Sequence, residues 1–195
     1  MPSSEHDVIA ANLTASADVK RKMIEACADD MIKTAELIVT SFRQGNKLLL
    51  CGNGGSAADA QHIATEFVIR LSPQRNRPAL PAIALTTDTS YLTAGSNDLG
   101  YENIFTRAIE ALGKENDILL AISTSGKSPS IINAVQRANE RKLITVGLLG
   151  GNGGDLLTLC NHSIIIPSKD TQRIQEGHIT AAHILCQLVE DRMFE

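Results

Sequence analysis

The sequence contains no tryptophan and only four phenylalanines and two tyrosines in 195 residues. Proteins that bind single-stranded nucleic acids stack the bases on such side chains, so no stacking platform is expected here. Basic residues are not in excess either, since 18 Lys and Arg stand against 22 Asp and Glu and are scattered along the chain. We therefore predict no nucleic-acid partner.

Closely spaced cysteines and long apolar runs are also missing. Cys27, Cys51, Cys160 and Cys186 form no Cys-x-x-Cys pair, which argues against a zinc knuckle or a redox pair. We expect them to be small buried side chains in a reducing compartment. Nothing in the first twenty residues has the apolar core of a signal peptide, and no run approaches the roughly 18 apolar residues of a membrane span. A cytoplasmic protein without a membrane partner is predicted.

The length and an apolar content of 43% indicate one domain with a substantial core, residues 1–195. We divide it into an N-terminal helical segment, residues 1–45, and an α/β core, residues 46–195. Apolar residues recur three and four positions apart over residues 16–42, which predicts a long amphipathic helix, and a shorter helix is expected before it.

Five short apolar runs follow: KLLLC, PAIAL, DILLAIS, ITVGLL and HSIIIP. Such runs are typical of strands buried on both faces of a parallel sheet. Helices are predicted between them, at about residues 57–70, 103–112, 130–141, 155–159 and 171–194. The alternation predicts a doubly wound, flavodoxin-like five-stranded parallel sheet with helices on both faces. Ligands of such sheets bind beyond the carboxyl ends of the strands, so the loops after Cys51, Leu85 and Ser123 are expected to be functional.

The segment STSGKS joins a predicted strand to a predicted helix. Its four hydroxyl residues are Ser123, Thr124, Ser125 and Ser128. With the backbone N–H groups and the positive dipole end of the helix, they would make a site for a phosphate monoester without any lysine. The alternative is that one serine caps the helix and the others only form the turn.

The segment CGNGGSAADAQHIATEF repeats this order of strand, small-residue turn and helix. Gly54 and Gly55 allow positive φ or the close approach of a ligand, and Asn53 offers a side-chain amide. The Gly-x-Gly-x-x-Ala spacing from Gly52 fits a dinucleotide fingerprint only weakly, because no acid follows about 20 residues on. No nucleotide cofactor is expected.

Two clusters of acid-base or metal-binding residues lie on predicted helices. His62 and Glu66 are four residues apart, on one helix face and within about 6 Å of each other, although such residues are often only solvated or structural. On the last helix, Gln175 and His183 lie about 80° apart and share a face, whereas His178 and His183 lie about 140° apart. One of these two histidines is therefore expected to be structural.

Two further stretches leave alternatives open. Asn97 and Asp98 lie in a turn-rich stretch, either as an ordinary turn signal or with Asp98 placed to bind the hydroxyls of a polyol. Residues 72–81, SPQRNRPALP, are interpreted as an exposed connection without a role.

Together, the motifs CGNGGSAADAQHIATEF, GSNDLGYENIF, LLAISTSGKSPSIINA and RIQEGHITAAHIL closely resemble those of the sugar isomerase (SIS) family, and within it the phosphoheptose isomerases. The resemblance covers nearly the whole chain. It implies an aldose–ketose isomerase that converts sedoheptulose 7-phosphate to D-glycero-D-manno-heptose 7-phosphate through an enediolate. That reaction would be the first step of bacterial ADP- or GDP-heptose biosynthesis, for lipopolysaccharide or a surface layer.

The resemblance also implies roles for individual residues. Implied substrate contacts are Asn53, Gly54, Gly55, Glu66, Asn97, Asp98, Ser123, Thr124, Ser125, Ser128 and Gln175. Glu66 and His183 would be the catalytic acid-base residues. One zinc ion per subunit is implied, with His62, Glu66, Gln175 and His183 as its ligands. At Gln172 the chain departs from members that have an acidic residue there.

A homotetramer with active sites at subunit interfaces is implied as well. It fits the sequence, because the helices that carry Glu66 and His183 need not meet within one chain. Rival interpretations are a non-catalytic SIS scaffold that assists a replication initiator, another phosphosugar isomerase or etherase, and a dinucleotide-dependent oxidoreductase. The scaffold predicts missing acid-base residues, and none is missing here.

Overall fold

The computed structural model describes residues 4–194, in which a long first helix precedes alternating strands and helices. The strands are β1 (Leu48–Gly52), β2 (Ala82–Ala84), β3 (Ile118–Ser123), β4 (Ile144–Gly150) and β5 (His162–Ile166). The helices are α1 (Glu5–Arg43), α2 (Gly55–Val68), α3 (Thr89–Leu99), α4 (Ile104–Leu112), α5 (Pro129–Glu140), α6 (Leu156–Leu159) and α7 (Thr171–Phe194), with one 3-10 turn at Tyr101–Asn103.

All five strands are parallel and lie in the order β2-β1-β3-β4-β5, which confirms the predicted fold class. Every residue of β1 and β3 is buried, as their uninterrupted apolar runs require. The chain leaves β1 to form β2 on one side and then crosses to form β3 on the other. Their connections therefore diverge and open a crevice at the carboxyl ends of β1 and β3.

The first helix is one continuous element of 39 residues, so the expectation of a separate shorter helix before it was wrong. A capping box starts it, because the Ser4 hydroxyl accepts the Asp7 N–H at 3.1 Å and Asp7 accepts the Ser4 N–H at 3.0 Å. No glycine or proline interrupts the segment that follows. Its apolar face is buried from Val19 onward.

The turn-rich stretch before residue 100 also forms a helix, α3, which the sequence analysis missed. Asp88 caps its start by accepting the Tyr91 N–H at 3.0 Å, and Gly100, with φ of 84°, ends it. None of its residues is fully buried, so it lacks a strong apolar stripe. Asn97 and Asp98 lie in its last turn and not in a loop.

Two apolar clusters cover the faces of the sheet, one with α1, α2 and α7 and the other with α4, α5 and α6. Three of the cysteines are buried and Cys160 is half-buried, and all four carry free thiols. Among residues 4–194 no helix has both the length and the hydropathy needed to cross a membrane.

His178 is the structural histidine of α7. Its ring is fully buried and its Nε2 atom lies 3.1 Å from the carbonyl oxygen of Leu149, so an N–H there joins α7 to β4. Burial lowers the pKa of His178 to about 4, against the opposing effect of this hydrogen bond.

We expect the free energy of unfolding to fall between pH 6.5 and pH 4 because of His178. The unfolded chain binds a proton near pH 6.5 and the folded chain only near pH 4, so acid favours the unfolded state, by on the order of 3 kcal/mol at pH 4. Urea unfolding of wild type and His178→Gln at pH 7, 5.5 and 4 measures this difference. Equal pH slopes for the two proteins would contradict it.

Candidate active site

The loops after β1 and β3 meet at the crevice, and Asn53 joins them. Its amide nitrogen donates to the hydroxyl oxygens of Ser128 at 2.8 Å and Ser130 at 2.9 Å. Its amide oxygen accepts the Tyr101 hydroxyl at 2.7 Å. Ser130 and Tyr101 were not among the predicted site residues, because only the fold brings them to Asn53.

The serines of the predicted phosphate loop shape the turn themselves. The buried Ser123 hydroxyl accepts the Gly126 N–H at 3.1 Å, and the Ser125 hydroxyl accepts the Lys127 N–H at 3.3 Å. Ser128 precedes α5, yet its hydroxyl contacts Asn53 and does not cap the helix backbone. Ser123 and Ser125 act as acceptors in these bonds, so each keeps its own O–H as a donor for an anion.

The predicted phosphate loop packs against the glycine-rich loop of residues 151–154. Gly126 has φ of 65°, and a Cβ there would lie 1.9 Å from the carbonyl oxygen of Gly153. The Gly126 carbonyl in turn accepts the Leu156 N–H at 3.1 Å. The loop therefore has one fixed backbone shape before any ligand binds.

Two clefts open beside these loops. One, of about 480 Å³, is lined by Thr124, Ser125, Lys127, Gly150, Gly151, Asn152, Lys169, Thr171 and Ile174. The other, of about 560 Å³, is lined by Gly52, Ala57, Thr86, Leu92, Thr93, Ser96, Asn97, Tyr101 and Phe105. Two lysines, Lys127 and Lys169, line the first cleft beside the hydroxyls of the predicted anion site.

The acid-base cluster forms where α2 packs against α7. His62 Nε2 lies 3.1 Å from Glu66 Oε1 and 3.1 Å from His183 Nε2. The three ligand atoms lie within 4.8 Å of one another. Glu66 and His183 therefore come together within one chain, whereas the sequence left open whether they do.

The atoms of this cluster suit a metal ion. A neutral imidazole carries one proton, so His62 Nε2 cannot form well-directed hydrogen bonds with both of its neighbours. A cation among the three atoms would stabilise them. Ligand atoms 2.0–2.1 Å from a tetrahedral zinc lie roughly 3.4 Å apart, close to the observed spacing, and two imidazoles with a carboxylate are ordinary zinc ligands.

Gln175 lies at the start of α7, and its side chain reaches α2. Its amide nitrogen is 2.3 Å from the position that a Cβ on Gly55 would take, so it packs against the first turn of α2. His62 lies seven residues further along α2, about 10 Å along the axis. The structure thus brings together three of the four predicted zinc ligands, and Gln175 stays a prediction.

Asp59, which was not among the predicted site residues, is a further carboxylate on α2 beside His62. Burial raises its pKa, and the charge of His62 opposes this effect. Its Oδ2 atom is buried and accepts no hydrogen bond from residues 4–194. The predicted site therefore has an unpaired acceptor on the helix that carries His62 and Glu66.

Comparisons with known proteins place these features in a family. The SIS domain model matches residues 13–150. A phosphoheptose isomerase of Roseiflexus sp. (strain RS-1) is 55% identical over 183 residues, 94% of this chain and 92% of that protein.

Two solved structures are similar over the same extent. The phosphoheptose isomerase GmhA of Neisseria gonorrhoeae matches 96% of this chain and 100% of its own, with 37% identity and a TM-score of 0.90. A phosphoheptose isomerase of Francisella tularensis matches 97% and 100%, with 35% identity and a TM-score of 0.93.

Proposed function

The chain belongs to the SIS domain family, and we infer from its likeness to phosphoheptose isomerases that it is an aldose–ketose isomerase of this class. Its reaction converts sedoheptulose 7-phosphate to D-glycero-D-manno-heptose 7-phosphate. The observation that carries this inference is the cluster of Glu66 with His62 and His183, because a reaction that moves a proton between two carbons needs such groups. A non-catalytic scaffold is not favoured, since it has no use for them.

We propose that Glu66 moves the carbon proton. The base takes a proton from C1 of the ketose, which leaves a cis-enediolate, and returns a proton to C2 to give the aldose. His183 would transfer the proton between the two oxygens, because an imidazole can both give and take a proton near neutral pH. The 3.1 Å contacts through His62 support this pairing, since they bring the two groups into one cluster.

The phosphate group would be held at the other end of the substrate. The hydroxyls of Ser123, Thr124, Ser125 and Ser128 and the start of α5 support this assignment, with Lys127 adding charge. Asn97 and Asp98 would meet the hydroxyls of the sugar. Binding energy from the phosphate contacts would hold the reacting carbons in place, so that no interaction at the reaction centre is needed to orient them.

We also propose one zinc ion per chain, held by His62, Glu66 and His183, with Gln175 as a fourth ligand after its side chain moves. Bound there, zinc would supply Lewis acidity for the substrate oxygens. The crowded contacts of His62 Nε2 support the site independently of any activity.

A homotetramer in the cytoplasm completes the proposal. Apolar side chains exposed along α1 support assembly: Val8 (49% exposed), Ile9 (58%), Leu13 (67%) and Ile24 (70%). The free thiols of all four cysteines support a reducing compartment.

Incubation with sedoheptulose 7-phosphate in D₂O tests the reaction. NMR should show the aldoheptose with deuterium at C2, and deuterium at C1 of the recovered ketose, because the enediolate exchanges its proton with solvent. Glu66→Gln serves as the blank. Absence of both deuterium and aldoheptose, with zinc supplied, would contradict the isomerase assignment.

Substitutions at the two ends of the site should change different kinetic parameters, KM at the phosphate end and kcat at the acid-base end. We expect Ser125→Ala to raise KM about tenfold with kcat nearly unchanged, since it removes one hydrogen bond to a charged group. Glu66→Gln should lower kcat by about 1,000-fold or more. Ser90→Ala, on the exposed side of α3, is the control. Small and equal effects of the two site variants would refute the site map.

Zinc binding can be measured without turnover. Competition with a chromophoric chelator should give one zinc per chain, and His62→Ala or His183→Ala should weaken binding by more than about 100-fold. His6→Ala, an exposed histidine on α1, should have no effect. Equal affinities of His62→Ala and His6→Ala would rule out the proposed ligands.

A further inference from the structure

Arg77 corrects the interpretation of residues 72–81 as a connection without a role. The backbone of this segment runs over the surface, but the Arg77 side chain is only 1% exposed. The side chain lies between the end of α2 and the C-terminal part of α7. Its guanidinium carbon is 6.0 Å from the centre of the Phe194 ring. A buried guanidinium needs several hydrogen-bond partners, and these identify its role.

The guanidinium group caps the end of α2. Its two terminal nitrogens donate to the carbonyl oxygens of Glu66 at 2.7 Å and Phe67 at 2.8 Å. The last carbonyls of a helix have no partner within the helix, and a cation there also opposes the negative end of the dipole. Because α2 ends at Val68, the cap holds the very turn that carries the Glu66 carboxylate.

The third donor of Arg77 ties this turn to α7. Its Nε atom donates to Glu190 Oε1 at 2.7 Å, and the Glu190 side chain is only 3% exposed. The same oxygen accepts the Leu71 N–H at 3.2 Å. Glu190 follows His183 by seven residues, about 20° short of two full turns, so the two lie on one face of α7.

One buried side chain thus connects the backbone of Glu66 to the helix of His183. We propose that Arg77, through Glu190, is a positioning residue that sets the separation of the acid-base residues Glu66 and His183, a proposal that rests on the isomerase function. Arg77 touches neither the substrate nor the reacting atoms. It acts by keeping the last turn of α2 helical and at a fixed distance from α7.

The test separates positioning from stability with four variants. Arg77→Met leaves Glu190 as a buried, unpaired charge, so the urea midpoint should fall. Arg77→Met/Glu190→Gln removes that charge, and the amide oxygen can still accept the Leu71 N–H, so the midpoint should recover most of the loss. Arg77→Lys keeps the charge without the fork geometry that reaches three acceptors. Arg75→Met is the control, since Arg75 pairs with Asp191 from the same loop to the same helix.

The expected result is a split between stability and turnover. The double variant should regain its urea midpoint but keep kcat lowered by about 100-fold, the effect of a misplacement of about 1 Å, with KM within about twofold of wild type because the phosphate end is untouched. Arg77→Lys should also lower kcat with a near-normal midpoint. Recovery of kcat together with the midpoint in the double variant would overturn the proposal.

A second measurement does not depend on turnover. The ring ¹⁵N signals of His62 and His183 in labelled protein report the contacts of the cluster directly. They should shift in Arg77→Lys and in the double variant and stay in place in Arg75→Met; unchanged signals in all variants would overturn the positioning role. A wild type without isomerase activity would contradict the proposed function instead, and the ¹⁵N signals would still decide the role of Arg77.

Discussion

The packing of α2 against α7 is the constraint on which the site depends. Both helices bury small side chains in the same apolar cluster, among them Ala60, Ala64 and Ala182, and this lets their axes come close. His62, Glu66 and His183 then lie together where the two helices meet. A larger side chain at the contact would separate the two helices and with them the three ligand atoms, without touching any of them.

The sheet and the local pairs were predictable from the sequence because they follow from short-range rules. Uninterrupted apolar runs such as Ile118–Ser123 have one stable place in a domain of this size, a strand buried on both faces. His62 and Glu66 are neighbours wherever a helix forms, since the geometry of four residues decides it. The angle of about 140° between His178 and His183 likewise predicted that one of them is structural, and the burial of His178 shows which.

What the sequence did not reveal depends on which distant segments meet. The amide of Asn53 is engaged by Ser128, Ser130 and Tyr101, which lie up to 77 residues away. The Gln175 amide rests on Gly55 because the start of α7 crosses the glycine loop. Arg77 looked like one of several charges in a proline-rich loop, and only the approach of α7 makes it a buried cap. Helix α3 was not predicted for a different reason. None of its residues is fully buried, so it lacks an apolar stripe, and Asp88 and Gly100 at its ends are also typical of turns.

The contact of the first helix with the last affects how the chain can fold during synthesis. Arg173, at the start of α7, donates to the Asn12 carbonyl at 2.8 Å, and Arg43, at the end of α1, donates to the Arg192 carbonyl at 2.7 Å. On a ribosome that adds 5–20 residues per second, α1 waits roughly 10–30 s for these partners to emerge. During that time its apolar face is uncovered, and a nascent chain has neither its acid-base cluster nor a closed core. Chaperones that bind exposed apolar segments would therefore meet α1 before α7 is made.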